Sequence, residues 1–169
     1  MTEQSPSAWL ASIAEIFADL GLDWTLIGAL AANRYRATPR FTTDLDTMAT
    51  FAPELVDRLE AAGYEVTVVA DPGEPPHLIR CYRGAEAVDI LVPVVEYQRE
   101  ALRRADDHVL TAEDVIIHKL LAGRPRDLDD IRSILEAGVD LDHRYLEHWI
   151  AEWDVAECWE QFTRTHRRS

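Results

Sequence analysis

The stretch LIGALAANRYRATPRFTTDLDTMAT, residues 26–50, decides how this chain is read. It grows out of a short apolar run at 24–27, which reads as a strand ending at Gly28. The Ala-rich segment behind the glycine predicts a helix over 28–35, with its first backbone N–H groups facing whatever sits at its start. Beyond Pro39, Arg40 and the pair Thr42-Thr43, the stretch closes on Asp44-Leu45-Asp46 in a second strand, 44–49. Side chains alternate across a strand, so Asp44 and Asp46 share a face while Leu45 turns to the core. Two like charges side by side at an open edge are unfavourable without a cation between them. Strand, glycine turn, helix and paired aspartates together point to a site for a hard metal and a phosphate.

Length and composition set the frame for that site. At 169 residues the chain holds one domain with a real core, and 47% hydrophobic residues make it globular. The formal charge of −14 argues against broad DNA or RNA capture, because nonspecific affinity comes from Lys and Arg neutralising phosphates. It leaves room for a local basic patch and suits a cationic small molecule or a basic partner. Cys81 and Cys158 fit no metal spacing and read as two buried thiols. The N-terminal residues lack a basic start and apolar run, and no stretch reaches membrane-spanning length. A cytoplasmic protein without membrane contact is expected.

Outside the central stretch, apolar residues Trp9, Ile13, Ile16 and Phe17 at helical spacing predict a first helix over 7–20, capped by Ser7 and ended by Gly21. A helix over 53–62 leads to a strand rich in β-branched residues over 64–70. Residues 77–82 and 87–92 predict a hairpin around Arg83-Gly84. Helices follow over 94–104, from Thr111 to Gly123, from Pro125 to about 137, over 142–154 and from 155 to about 165, with 109–110 extended. The expected fold is α+β: a small mixed β-sheet core over 1–94, flanked by helices, with a helical C-terminal lobe over 95–169 packed on it.

Asp89 is the third acidic residue that bears on function. It sits in the apolar run Ala87-Val88-Asp89-Ile90-Leu91-Val92, where burial is expensive unless the carboxylate is paired or bound to metal. With Asp44 and Asp46 it makes three carboxylates on adjacent strands, a set suited to one or two Mg²⁺ ions holding a triphosphate.

The order of apolar strand, Gly28, helix, Arg40, Thr42-Thr43, Asp44-x-Asp46 and a later lone Asp89 resembles the nucleotidyltransferase superfamily that includes DNA polymerase β. Residues 112–124, then Arg126-Asp127 and Asp129-Asp130-Ile131, look like the Lys…Arg…Asp…Asp motif of its AbiEii-like branch, which includes toxins of toxin–antitoxin systems. The resemblance covers roughly residues 20–137. It implies a nucleotidyltransferase core in the sheet domain, with Asp44, Asp46 and Asp89 as metal ligands for two Mg²⁺ ions. Asp89 would alternatively serve as the base for an attacking hydroxyl. Gly28 and Ala29 would cradle the β- and γ-phosphates of an NTP, with Arg40 and Lys119 neutralising its charge. Thr42, Thr43 and Arg124 would bind the nucleotide, and Asp127 and Asp130 would orient Lys119 or Arg124 or meet the nucleotide. Many members carry Gly-Gly or Gly-Ser at the turn; Ala29 departs from that pattern and offers phosphate only its backbone. The implied acceptor is a tRNA 3′ end or a protein hydroxyl, with a cognate antitoxin as partner. Transfer to a cationic antibiotic and nucleotide binding without catalysis are the other readings.

Blander roles exist for several of these residues. Lys119 lies on an amphipathic helix, where a solvated charge is the usual outcome. Arg124, Arg126, Asp127, Asp129 and Asp130 suit a salt-bridged helix start, its acidic residues favoured by the helix dipole. His118 is an exposed or core histidine, with no zinc spacing nearby. Trp149, Trp153 and Trp159 are expected to pack the C-terminal lobe. The tail from Arg164 to Arg168 is a small basic patch.

Overall fold

A computed structural model describes residues 6–166 of the chain. The first helix, α1 (Pro6–Asp19), buries Trp9, Ile13, Ile16 and Phe17 along one face. Its described span opens at Pro6 and includes Ser7, the expected cap, whose side chain lies outside what is described. Next come β1 (Trp24–Leu26), α2 (Gly28–Asn33), β2 (Leu45–Ala49) and α3 (Glu54–Ala61). Three strands follow, β3 (Glu65–Val69), β4 (Leu78–Arg83) and β5 (Glu86–Leu91), the last two joined by a tight turn at Gly84-Ala85. The helical part runs through α4 (Glu96–Arg104), α5 (Ala112–Ala122), α6 (Pro125–Glu136), α7 (His143–Glu152) and α8 (Ala156–His166). Arg164 pairs with Glu160, while the rest of the basic tail beyond His166 lies outside the described residues.

The five strands form one mixed sheet in the order β1-β2-β5-β4-β3. β2 and β5 run parallel, and every other neighbouring pair is antiparallel. A parallel pair cannot be joined by a hairpin, so the chain between β2 and β5 makes the excursion through α3, β3 and β4. That excursion returns β5 to the centre of the sheet, beside β2. The extended piece expected at 109–110 joins the sheet as a single parallel bridge from Leu26 to Val109. The class is α+β with helices on both faces, as the patterning predicts.

Two apolar clusters divide the molecule. One lies between α1, α3 and one sheet face, where Phe17, Leu45, Leu55, Leu59, Ile79 and Ile90 are fully buried. The other is built by the helices, with Ile116, Ile117, Ile131, Ile134 and Leu146 fully buried and Trp149, Trp153 and Trp159 packed around them. Met48 of β2 and Ala31 and Ala32 of α2 belong to this second cluster. The helices therefore pack on α2 and β2, the elements that carry the glycine turn and Asp46. Cys81 is buried and Cys158 only half-buried, which corrects the expectation of two buried thiols; both are free.

Candidate functional site

Leu45 is buried at the start of β2, so its neighbour Asp46 turns to the opposite face of the sheet. The β2–β5 register sets Asp46 directly beside Asp89, and the β5–β4 register sets Asp89 beside Arg80. One row across the sheet thus reads Asp46, Asp89, Arg80. The Arg80 Nε lies 3.7 Å from an Asp89 carboxylate oxygen. Asp44 stands just ahead of the strand and is exposed; the Thr43 hydroxyl donates to its carboxylate at 3.4 Å, and its own N–H donates to the Thr42 hydroxyl at 3.3 Å. Burial pushes the Asp46 carboxyl above the usual carboxylate range, and the charges of Asp89 and Asp44 push it further. Asp89 is raised by burial and by Asp44, against the pull of Arg80. These groups repel one another across a shared space open to a cation.

Gly28 forms the floor beneath Asp46. Its φ is +64°, the left-handed region that favours glycine. A Cβ at this position would lie 2.8 Å from the Cβ and Cγ of Asp46, and closer still to its carboxylate oxygen. The turn therefore exists to bring backbone against a carboxylate. Ile27 precedes α2 without any side-chain cap, so the first N–H groups of the helix have no side-chain acceptor there. A phosphate at this turn would meet those N–H groups and, across from them, Asp46.

The helical layer supplies positive charge. Lys119 of α5 is only 4% exposed, against the expectation for a helical lysine. Its Nζ donates to Asp127 and pairs with Asp130 of α6, both at 2.9 Å, and both carboxylates are fully buried. Arg40 holds Asp130 with two hydrogen bonds, of 2.9 and 3.1 Å, and Arg36 pairs with the same carboxylate. Arg124 binds Asp127 at 2.6 Å through Nε, and the Asp127 carboxylate also accepts from the Arg124 backbone N–H. Burial alone would raise both carboxyls; the hydrogen bonds from Arg124 or Arg40 and from Lys119 override it and hold both below the usual range. Four cations face two carboxylates, which leaves the cluster positive. Its field reaches the sheet: Lys119 and Arg124 both favour the ionised form of Asp46.

The structure thus brings Gly28, Asp46 and Asp89 together and sets Lys119, Arg124, Asp127, Asp130 and Arg40 beside them. Asp127 and Asp130 are fully buried and orient Lys119, Arg124 and Arg40, leaving no surface on them for a nucleotide. Thr42 and Thr43 are engaged with Asp44. Among the described residues no three His, Cys, Asp or Glu side chains converge closely enough, as they stand, to hold a metal ion. The donor chemistry nevertheless fits a hard cation: carboxylate oxygens, mutual repulsion, and a glycine floor that keeps the space clear. Arg80, Arg36 and Asn33 were not singled out from the sequence. The signal for Arg80 lay in its place across from Asp89 in the predicted hairpin. Two open grooves, of about 770 and 910 Å³, lie elsewhere, around Thr50, Pro93 and Arg99, and none of the three aspartates lines them. The site lies on one face of the sheet, across the neighbouring interior strands β2 and β5.

No protein-family model matches the chain, and no curated protein matches it. Solved structures do. The solution structure of the antibiotic-resistance factor ANT(2'')-Ia superposes with a TM-score of 0.63 at 14% identity, covering 93% of this chain and 95% of that one. The crystal structure of ANT(2'')-Ia in complex with adenylyl-2''-tobramycin gives 0.60 at 15% identity, covering 88% and 97%. No helix among the described residues is long and apolar enough to cross a membrane. Across nearly its whole length the chain shares the fold of ANT(2'')-Ia.

Proposed function

We propose that the protein is a Mg²⁺-dependent nucleotidyltransferase that moves a nucleoside monophosphate from an NTP to an acceptor hydroxyl. The observation that carries this reading is the Asp46–Asp89 pair on adjacent strands, floored by Gly28 and facing the cationic Lys119–Arg124 cluster. Asp46 and Asp89, joined by Asp44, would hold the metal ions. Bound there, Mg²⁺ supplies charge neutralisation for phosphate oxygens. The turn at Gly28 and Ala29 receives the β- and γ-phosphates, and the positive α5–α6 cluster favours their charge. The acceptor oxygen forms a bond to the α-phosphorus, the bond from that phosphorus to the β-bridging oxygen breaks, and pyrophosphate leaves with the electron pair. Asp89, whose side chain is 40% exposed, either completes the metal ligands or takes the hydroxyl proton.

Two acceptor classes have support. The resemblance to the AbiEii-like branch favours a tRNA 3′ end or a protein hydroxyl, in a toxin checked by a cognate antitoxin. The net charge of −14 favours a polycationic small molecule, and the superposed ANT(2'')-Ia was solved with an adenylyl group on tobramycin. The test is to incubate the protein with each α-labelled NTP, Mg²⁺, and either total RNA, a protein extract or an aminoglycoside panel. Label should enter one acceptor class, and Asp46→Asn should lower transfer at least 100-fold while circular dichroism stays unchanged. Equal transfer by Asp46→Asn would overturn the reading, and tight NTP binding without transfer would make the protein a binding module.

A further inference from the structure

The loop between α2 and β2 carries a large side chain with no structural duty. Phe41 is 83% exposed, the most exposed large apolar residue among those described. Its backbone, by contrast, is held firmly. The Asn33 side chain donates to the Arg40 carbonyl at 2.8 Å and accepts from the Arg40 N–H at 2.9 Å. The Arg36 and Arg40 side chains lock onto Asp130, and the Ala37 N–H donates to the Ser133 carbonyl at 3.1 Å. Downstream, Thr42 and Thr43 are tied to Asp44. An aromatic ring is thus presented to solvent on a braced segment that runs from Arg40, paired with Asp130, to Asp44. Burying it against the protein would recover apolar surface; the bracing keeps it out.

We infer that Phe41 is the stacking face for the base of the bound nucleotide, a deeper statement of the proposed nucleotidyltransferase site and resting on it. Reach supports this occupant. Two residues separate Phe41 from Asp44, three Cα-to-Cα steps that span at most about 11 Å in extended chain, comparable to the length of a nucleotide from its phosphates to its base. Charge supports it too, because the excess positive charge of Arg36, Arg40, Lys119 and Arg124 over Asp127 and Asp130 selects an anion beside the ring. A flat ring joined to a triphosphate meets both demands at once. Stacking is tolerant of base identity, since every base has a π-face.

The experiment is calorimetric titration of the full chain, with Mg²⁺, by ATP and by inorganic tripolyphosphate. Phe41→Ala should weaken ATP binding roughly 5- to 150-fold, leave tripolyphosphate binding as in the wild type, and be rescued by Phe41→Trp. Unchanged ATP affinity in Phe41→Ala would overturn the inference alone, leaving the nucleotide site intact. So would an equal loss for both ligands, which would mean the loop acts on the phosphates. Normal ATP binding with a raised KM for the acceptor would set the ring under the acceptor and overturn it as well. A wild-type chain that binds neither ligand would overturn the nucleotidyltransferase reading, and this inference with it.

Discussion

Gly28 and Asp46 form a single unit, although seventeen residues of intervening sequence hide that fact. Paired aspartates and an upstream glycine are visible in residues 26–50, and both lie where the local pattern predicts. Their contact is not visible, because it depends on how β1 and β2 pair. The antiparallel register sets Leu26 beside Thr47, which brings the turn after Leu26 over the next residue back, Asp46. An alanine at 28 would pay twice: a left-handed backbone, and a Cβ driven against the Asp46 side chain. Gly28→Ala should cost about 1–3 kcal/mol of stability, read as a drop in Tm of roughly 2–10 °C. It should also weaken Mg·NTP binding measured by titration calorimetry, since the carboxylate must move.

At the scale of the element, α5 and α6 act as one charged device. Thr111 caps α5, with its hydroxyl accepting from the Asp114 N–H and donating to the Asp114 carboxylate. Gly123, with φ +62°, ends the helix and turns the chain straight into Pro125 of α6. These signals are local and were legible. What the local pattern could not reveal is that the short turn folds α6 back so that Asp127 and Asp130 clasp Lys119. A lysine between Ile116, Ile117 and Leu120 was expected to reach water; packing against α6 leaves it no such path, and the two carboxylates satisfy it instead. Removing one partner of a buried ionic cluster strands the others. Lys119→Met should therefore destabilise by about 3–5 kcal/mol in urea denaturation, and Lys119→Met with Asp127→Asn should recover part of that loss.

At the scale of the whole molecule, acid stability reports how these layers are packed. His118 is half-buried, and its Nε2 is buried without a hydrogen-bond partner. Burial, with help from the Lys119 charge, lowers its pKa from 6.5 to about 4. Between those values the unfolded chain binds a proton that the folded chain refuses. This contribution to stability is complete above pH 6.5 and is lost as pH falls towards 4, at up to about 1.4 kcal/mol per pH unit. Asp127 and Asp130, lowered in the fold, contribute in the same direction only once pH falls below the ordinary carboxylate value of 3.8. Asp46, Asp89 and Asp114 are raised and work in the opposite direction, so the comparison of wild type with His118→Phe isolates the ring. The Tm of His118→Phe relative to wild type should rise between pH 7 and 4.5 in thermal melts. By itself the sequence determined the element order, the α+β class and the three aspartates, because periodicity, capping and turn chemistry act over a few residues. Only the tertiary structure decided that Asp46 stands against Asp89 and Arg80, that Lys119 is buried, and that Phe41 is left bare. Those outcomes depend on the parallel register of β2 and β5 and on the return of α6 onto α5. Both join residues far apart in the chain, where local pattern carries no signal.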